Sequence, residues 1–186
     1  MKIRVSDYVI KFLESKKIDH VFTVSGGGSI ALCDSLFRSK ITYICNHHEQ
    51  ASVFAAESYA RSLNNVGCAL VTTGPGGTNA LTGIASAWID SVPLFIISGQ
   101  VFYDQTIKKS GLRQLGVQEI DIVSLAKPIT KFAKIITSID QVKSCLEEAY
   151  NLCISGRPGP ILIDIPADIQ SSFIDSRIIS VKKIHK

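Results

Sequence analysis

One pattern recurs through the first half of the chain: a short apolar run, a turn of small residues, then a segment with helical periodicity. A leading helix from Val5 to Lys16 carries its apolar stripe at Val5, Tyr8, Val9, Phe12 and Leu13. "HVFTV" (20–24) then reads as a buried strand, "SGGGS" (25–29) as a turn and Ile30 to Phe37 as a helix. "ITYIC" (41–45) is a second strand, followed by a helix from about Gln50 to Leu63. "CALVTT" (68–73) is a third, "GPGGTN" (74–79) a glycine loop, and Ala80 to Ser91 a helix before the fourth strand, "PLFIISG" (93–99). Strands alternating with helices need crossover connections, so the predicted fold is α/β: three layers, α/β/α, around a mostly parallel central sheet. A site is expected in the loops at the carboxyl ends of those strands.

After Gly99 the pattern lapses, and 101–118 is polar without a clear period, as an active-site or interface loop would be. Regular structure is expected again at "KFAKII" (131–136), in a helix from about Ser138 to Ile154, and in the strand "PILIDI" (160–165), with "GRPGP" (156–160) as stop and turn. Past Pro166 the chain is expected to thin out. Residues 1–170 are predicted to form one domain and 171–186 a linker to a central domain that the sequence lacks.

Hydrophobic residues make up 46% of the chain and mean hydropathy is +0.23, more apolar than a fully solvated surface needs. The helical stretch "TNALTGIASAWIDSV" (78–92) carries a single charge, Asp90, and its small residues Ala80, Gly83, Ala85, Ser86 and Ala87 would admit a second helix at close range. A homodimer through the helices that start near Gln50 and Ala80 is the expectation. No apolar run reaches the roughly 18 residues of a membrane span, and the start, Met1 to Asp7, is polar; no membrane partner and a cytoplasmic location are expected. The net charge of +4 is scattered, which argues against a nucleic-acid partner. Five cysteines without C-x-x-C spacing read as reduced, mostly buried thiols. Cys45, His47 and His48 lack a second ligand pair, so no metal site is expected in the chain.

Glu49 stands at the mouth of the second strand, ahead of alanines, Val53, Phe54 and Tyr59 suited to burial, in surroundings that disfavour its charge. Gly26-Gly27-Gly28-Ser29-Ile30-Ala31 fits G-x-G-x-x-A between a strand and a helix, and Glu49 lies at about the spacing of the acid that binds ribose in a dinucleotide site. Cys45 to His48 separate it from the strand end, however, where that acid normally sits. The loop from Thr73 to Asn79 lacks the Lys of a phosphate loop; its small residues let a flat ring approach the backbone, with Asn79 as a donor. On the residues alone, a crevice built around Glu49, a dinucleotide-binding (NAD or FAD) oxidoreductase domain and a non-catalytic scaffold of the same fold all stay open.

"VFTVSGGGSIALCDSL", "HHEQASVFAAESYARS", "VTTGPGGTNALTGIASAWIDSVPLFIISGQ", "LRQLGVQEIDIVSLAKPITKFA" and "GRPGPILIDIPADI" follow in the order and spacing of a known family. Over about residues 3–170 the chain resembles the amino-terminal pyrimidine-binding domain of thiamine-diphosphate-dependent enzymes, acetolactate (acetohydroxyacid) synthase-like. The resemblance implies that Glu49 hydrogen-bonds N1′ of the cofactor's aminopyrimidine and promotes its imino tautomer, which takes the proton from thiazolium C2; the carbanion then attacks a 2-keto acid substrate, carbon dioxide leaves, and a two-carbon unit passes to an acceptor. It implies cofactor-lining roles for Ser25, Gly26, Gly27, Thr73, Gly74, Gly76 and Asn79, and places Gln100 and Gln118 near the substrate. Mg²⁺ and the diphosphate would be held by a Gly-Asp-Gly domain of a second subunit; that segment is absent from this sequence, so the domain alone should be inactive. FAD is compatible with the complete enzyme. Two departures matter: Ser25 stands where a proline is usual, and Val117 where a phenylalanine is usual before Gln-Glu.

Overall fold

The apolar runs become strands because the sheet they build is covered on both faces. A computed structural model describes residues 2–108 and 110–177. Its elements in chain order are β1 (Lys2–Arg4), α1 (Val5–Ser15), β2 (His20–Thr23), α2 (Ile30–Phe37), β3 (Thr42–Cys45), α3 (Glu49–Leu63), β4 (Gly67–Val71), α4 (Pro75–Asp90), β5 (Leu94–Gln100), α5 (Ile122–Ala126), β6 (Phe132–Ile135), α6 (Gln141–Ile154), β7 (Ile161–Pro166), α7 (Ala167–Ser171) and β8 (Phe173–Asp175). Six strands form one sheet in the order β3-β2-β4-β5-β7-β6, and each pairing in it is parallel.

Alternation along the strands divides the interior into two cores. Leu70, Phe95, Ile97, Ile161 and Ile163 face one layer, packing with Tyr8, Phe12 and Leu13 of α1, Leu32 and Leu36 of α2 and Leu146 of α6. Ala69, Val71, Leu94, Ile96 and Leu162 face the other, against Val53 and Ala56 of α3, Ala80 and Ile84 of α4 and Ile122 of α5. This is the three-layer α/β/α architecture expected from the repeat. Strands β4, β5 and β7 are buried at every residue, whereas edge strand β3 is exposed at every residue. Cys33, Cys68, Cys145 and Cys153 are buried and Cys45 is exposed, all as free thiols. No helix among the described residues is long and apolar enough to cross a membrane.

Two expectations need correction. The stretch 74–79 is not a loop: α4 starts at Pro75, five residues before Ala80. Gly74 adopts φ +61° just ahead of it, and Pro75 has its φ preset for the first helical turn, where a missing N–H costs nothing. The helix penalty of Gly76 is offset by close packing, since a Cβ there would lie 2.7 Å from Thr72 Cγ2. The chain also does not thin out after Pro166. It forms α7 and then β8, which pairs antiparallel with β1 in the register Lys2↔Asp175, Ile3↔Ile174 and Arg4↔Phe173. Within α7, Gln170, fully buried, donates Nε2 to Gly28 O and Ile165 O, each at 2.7 Å. Residues 178–186 of the expected linker lie outside the described residues.

The chain leaves β2 for β3 on one side and returns to β4 on the other. At such a reversal, at the carboxyl ends of β2 and β4, a parallel sheet offers its binding crevice.

Candidate functional site

Three segments meet at this crevice: the turn after β2, the Thr72–Gly74 turn after β4, and the start of α3. The first two are fastened together. A Cβ on Gly26 would sit 2.5 Å from Thr72 Cγ2, and Gly28 N donates to Thr72 Oγ1 at 3.1 Å. Gly74 packs so closely on the loop before α5 that an added Cβ would lie 2.0 Å from the Gln118 carbonyl oxygen; Gln118 itself has φ +57°.

Glu49 is the first residue of α3, one position earlier than the sequence suggested, and is 8% exposed. His48 precedes it as the cap, its Nδ1 accepting from Gln50 N at 3.2 Å. Asn79 Nδ2 donates to Glu49 Oε2 at 2.9 Å, and bare Gly76 lies alongside, where a Cβ would be 3.2 Å from Oε1. Among the described residues nothing donates to Oε1. Burial is as expected, but the surroundings are not purely apolar. The amide of Asn79 and the amino end of α3 replace part of the hydration that a carboxylate loses on burial.

The structure therefore brings Glu49, Gly76 and Asn79 together, with Thr73 and Gly74 in the turn just ahead of α4. Ser25 and Gly27 lie exposed on the turn across from Thr72, and Gly26 is half-buried there. The Gln118 side chain is exposed, and its backbone braces Gly74. Gln100 is 2% exposed, set behind the crevice: its Oε1 accepts from Thr73 Oγ1 and from Val101 N (3.0 Å), and its Nε2 donates to Asp164 Oδ2 (2.9 Å) and Ile120 O (3.1 Å). Two residues escaped the sequence reading. Thr72 joins the two turns through its hydroxyl, and Asp164 lies beneath Gln100. The second had a signal, being the single acid inside the apolar strand "PILIDI".

The dinucleotide reading loses ground on this geometry. Gly28 N, which a pyrophosphate would need, is already bonded to Thr72, and Gly28 O accepts from Gln170. Glu49 opens a helix rather than closing β3, and so is not placed where a ribose-binding acid belongs.

The fold is thus a parallel-sheet α/β domain with one buried carboxylate, held at one oxygen by Asn79, at the reversal of its sheet. Residues 3–125 match the family of the thiamine pyrophosphate enzyme N-terminal TPP binding domain, and the chain belongs to that family. It is 38% identical over 168 residues to the acetolactate synthase large subunit of Haemophilus influenzae, covering 90% of this chain and 28% of that protein. It is 39% identical over 171 residues to acetolactate synthase of Arthrospira platensis, again 90% and 28%. Identity with the chloroplastic acetolactate synthase of Arabidopsis thaliana is 40% over 169 residues, or 89% and 24%. The chain spans about a quarter of the length of these relatives.

The site's residues fit a thiamine-type aminopyrimidine. Asn79 occupies Glu49 Oε2, and among the described residues Oε1 is left free to engage a ring nitrogen.

Proposed function

We propose that the chain is the pyrimidine-binding part of a thiamine-diphosphate-dependent carboligase that decarboxylates 2-keto acids, acetolactate synthase-like, and that Glu49 activates the cofactor. The observation that carries this reading is the buried Glu49 carboxylate, held at Oε2 by Asn79 and open at Oε1 beside Gly76. Asn79 leaves one oxygen to exchange a proton with N1′ of the ring. Thr73 and Gly74, in the turn before α4, and Gly76, in its first turn, would form the wall next to the ring. Thiamine diphosphate supplies, when bound, the electron sink for decarboxylation.

The diphosphate, with its Mg²⁺, falls to the diphosphate-binding domain of a second subunit, and any FAD to another part of the complete enzyme. Self-association through α3 and α4 is supported by the outward faces of these helices. Phe54 is 37% and Ile89 70% exposed, and α4 has no charged residue before Asp90. A cytoplasmic location is consistent with this reading. Val117, 82% exposed on the loop ahead of Gln118, is the residue through which the acceptor would differ from that of acetolactate synthases.

Glu49→Gln in the complete enzyme tests the assignment. Turnover should fall at least about a hundredfold, the low end of what a positioned proton-transfer group supplies, with the circular dichroism spectrum unchanged. Near-normal turnover would overturn it.

A further inference from the structure

The four hydrogen bonds of Gln100 fix which way its amide points. Nε2 faces two acceptors, Asp164 Oδ2 and Ile120 O, while Oε1 faces two donors, Val101 N and Thr73 Oγ1. Turning the amide over would set donor against donor at Val101 N and acceptor against acceptor at Ile120 O. The one hydroxyl proton of Thr73 is therefore committed to Gln100, and toward the crevice that hydroxyl can only accept. Asp164, on β7, selects this arrangement by accepting from Nε2.

We propose that Asp164 and Gln100 are positioning residues for the cofactor-facing turn. The series Asp164–Gln100–Thr73 anchors the turn from which α4 departs, and with it the Asn79 amide that holds Glu49. The inference rests on the reading of Glu49 given above, and it moves Gln100 from a substrate contact to a support behind the site.

A cavity of about 240 Å³ lies on the far side of this series, lined in part by Gln100, Tyr103, Lys108, Glu119, Asp121 and Asp164. Asp164 is 1% exposed, and among the described residues neither its Oδ1 nor Oε2 of Glu119 has a hydrogen-bond partner. The titratable groups that share this cavity with Asp164 are Glu119 and Asp121 from the segment before α5, with Tyr103 and Lys108 from the loop after β5. The strands on either side present Ser98, Gln100 and Ile135. Burial pushes the Asp164 carboxyl up to about 7; hydrogen bonds from Gln100 and Ser98 oppose this, and the charges of Asp121 and Glu119 add to it. When protonated, Asp164 can still accept at Oδ2 from Gln100. Its folded-state value lies above the ordinary 3.8, so the stability it confers is complete in acid and is lost as pH rises through about 7.

Two substitutions test the proposal. Asp164→Asn keeps an acceptor for Gln100 and removes the titration; Asp164→Leu removes both. In the complete enzyme Asp164→Leu should raise the thiamine diphosphate concentration for half-maximal activity about tenfold, with kcat changed less, and Asp164→Asn should restore it. Independently of activity, the thermal midpoint of the wild-type protein should decline between pH 5 and 8 relative to that of Asp164→Asn. Equal pH profiles for the two proteins, or unchanged cofactor half-saturation in a folded Asp164→Leu, would overturn the proposal. Should Asp164→Leu not fold, the pH comparison with Asp164→Asn decides. Failure of the Glu49 reading shows separately, as normal turnover in Glu49→Gln, and leaves the pH profiles unaffected.

Discussion

Asn79 Nδ2 lies 2.9 Å from Glu49 Oε2, so the second turn of α4 holds the carboxylate that opens α3. Replacing the amide with Asn79→Ala strips a buried carboxylate of a donor. Stability should fall by about 1–3 kcal/mol, read by urea denaturation, and cofactor-dependent turnover should drop with it. Asn79→Asp should be worse on both counts, because it sets two carboxylates against each other.

Two glycines separate packing from function. A Cβ on Gly67, at the start of β4, would lie 2.1 Å from Ala56 O, far from the crevice. A Cβ on Gly76 would press on Thr72 Cγ2 at 2.7 Å and on Glu49 Oε1 at 3.2 Å. Both alanine variants should lose about 1–3 kcal/mol to overpacking. Only Gly76→Ala should also weaken thiamine diphosphate binding, measured by cofactor titration of the complete enzyme, by tenfold or more.

Lys16 Nζ lies 2.8 Å from Glu147 Oε2, with the carboxylate 4% exposed, and stands 5.1 and 4.9 Å from the ring centres of Phe12 and Tyr150. Lys16→Met leaves that buried charge without its partner. A loss of about 2 kcal/mol is expected, less than for a fully buried pair because Lys16 keeps some contact with solvent. Double substitution with Glu147→Leu should recover much of it, a comparison that calorimetric melting can make.

Asp7 joins α1 to α2. Burial opposes its charge, but hydrogen bonds from Ser35 Oγ (2.7 Å) and Arg38 Nη2 (2.9 Å), together with Arg4, prevail and hold the carboxyl below the usual aspartate range. A depressed folded-state value means that the stabilisation is present above the ordinary 3.8 and is lost as pH falls. Asp7→Asn should therefore melt earlier than wild type at pH 7, and the gap should close below pH 3.

Self-association through α4 can be probed at Ala85 and Ile89, which lie on the half-buried or exposed side of that helix. Ala85→Arg should shift the sedimentation profile of the protein toward monomer while leaving its melting point within about 1 °C, because a surface change away from the core costs little. A profile unchanged by both Ala85→Arg and Ile89→Glu would remove α3 and α4 as the interface.

The layer architecture was legible because it depends on period: β4, β5 and β7 are apolar at nearly every position and are buried at every position. Glu49 was legible for the opposite reason, as a charge placed where the pattern asked for none. The start of α4 was not, because two glycines and a proline signal a turn unless Thr72 and Ile122 are known to pack against them. Nor was the role of Gln100. Its four partners come from residues 73, 101, 120 and 164, and no local pattern joins positions so far apart. The β8 strand is three residues long and takes its form from a partner at the other end of the unit, which local propensity does not record.

That short clasp also sets the order of assembly. Lys2 cannot meet Asp175 until nearly the whole unit has left the ribosome, and the ordering cost of such a long closure falls on the final event rather than the first. A nascent chain with its sheet formed but β1 still unpaired would display a loose strand and an unsealed flank until β8 arrives to close it.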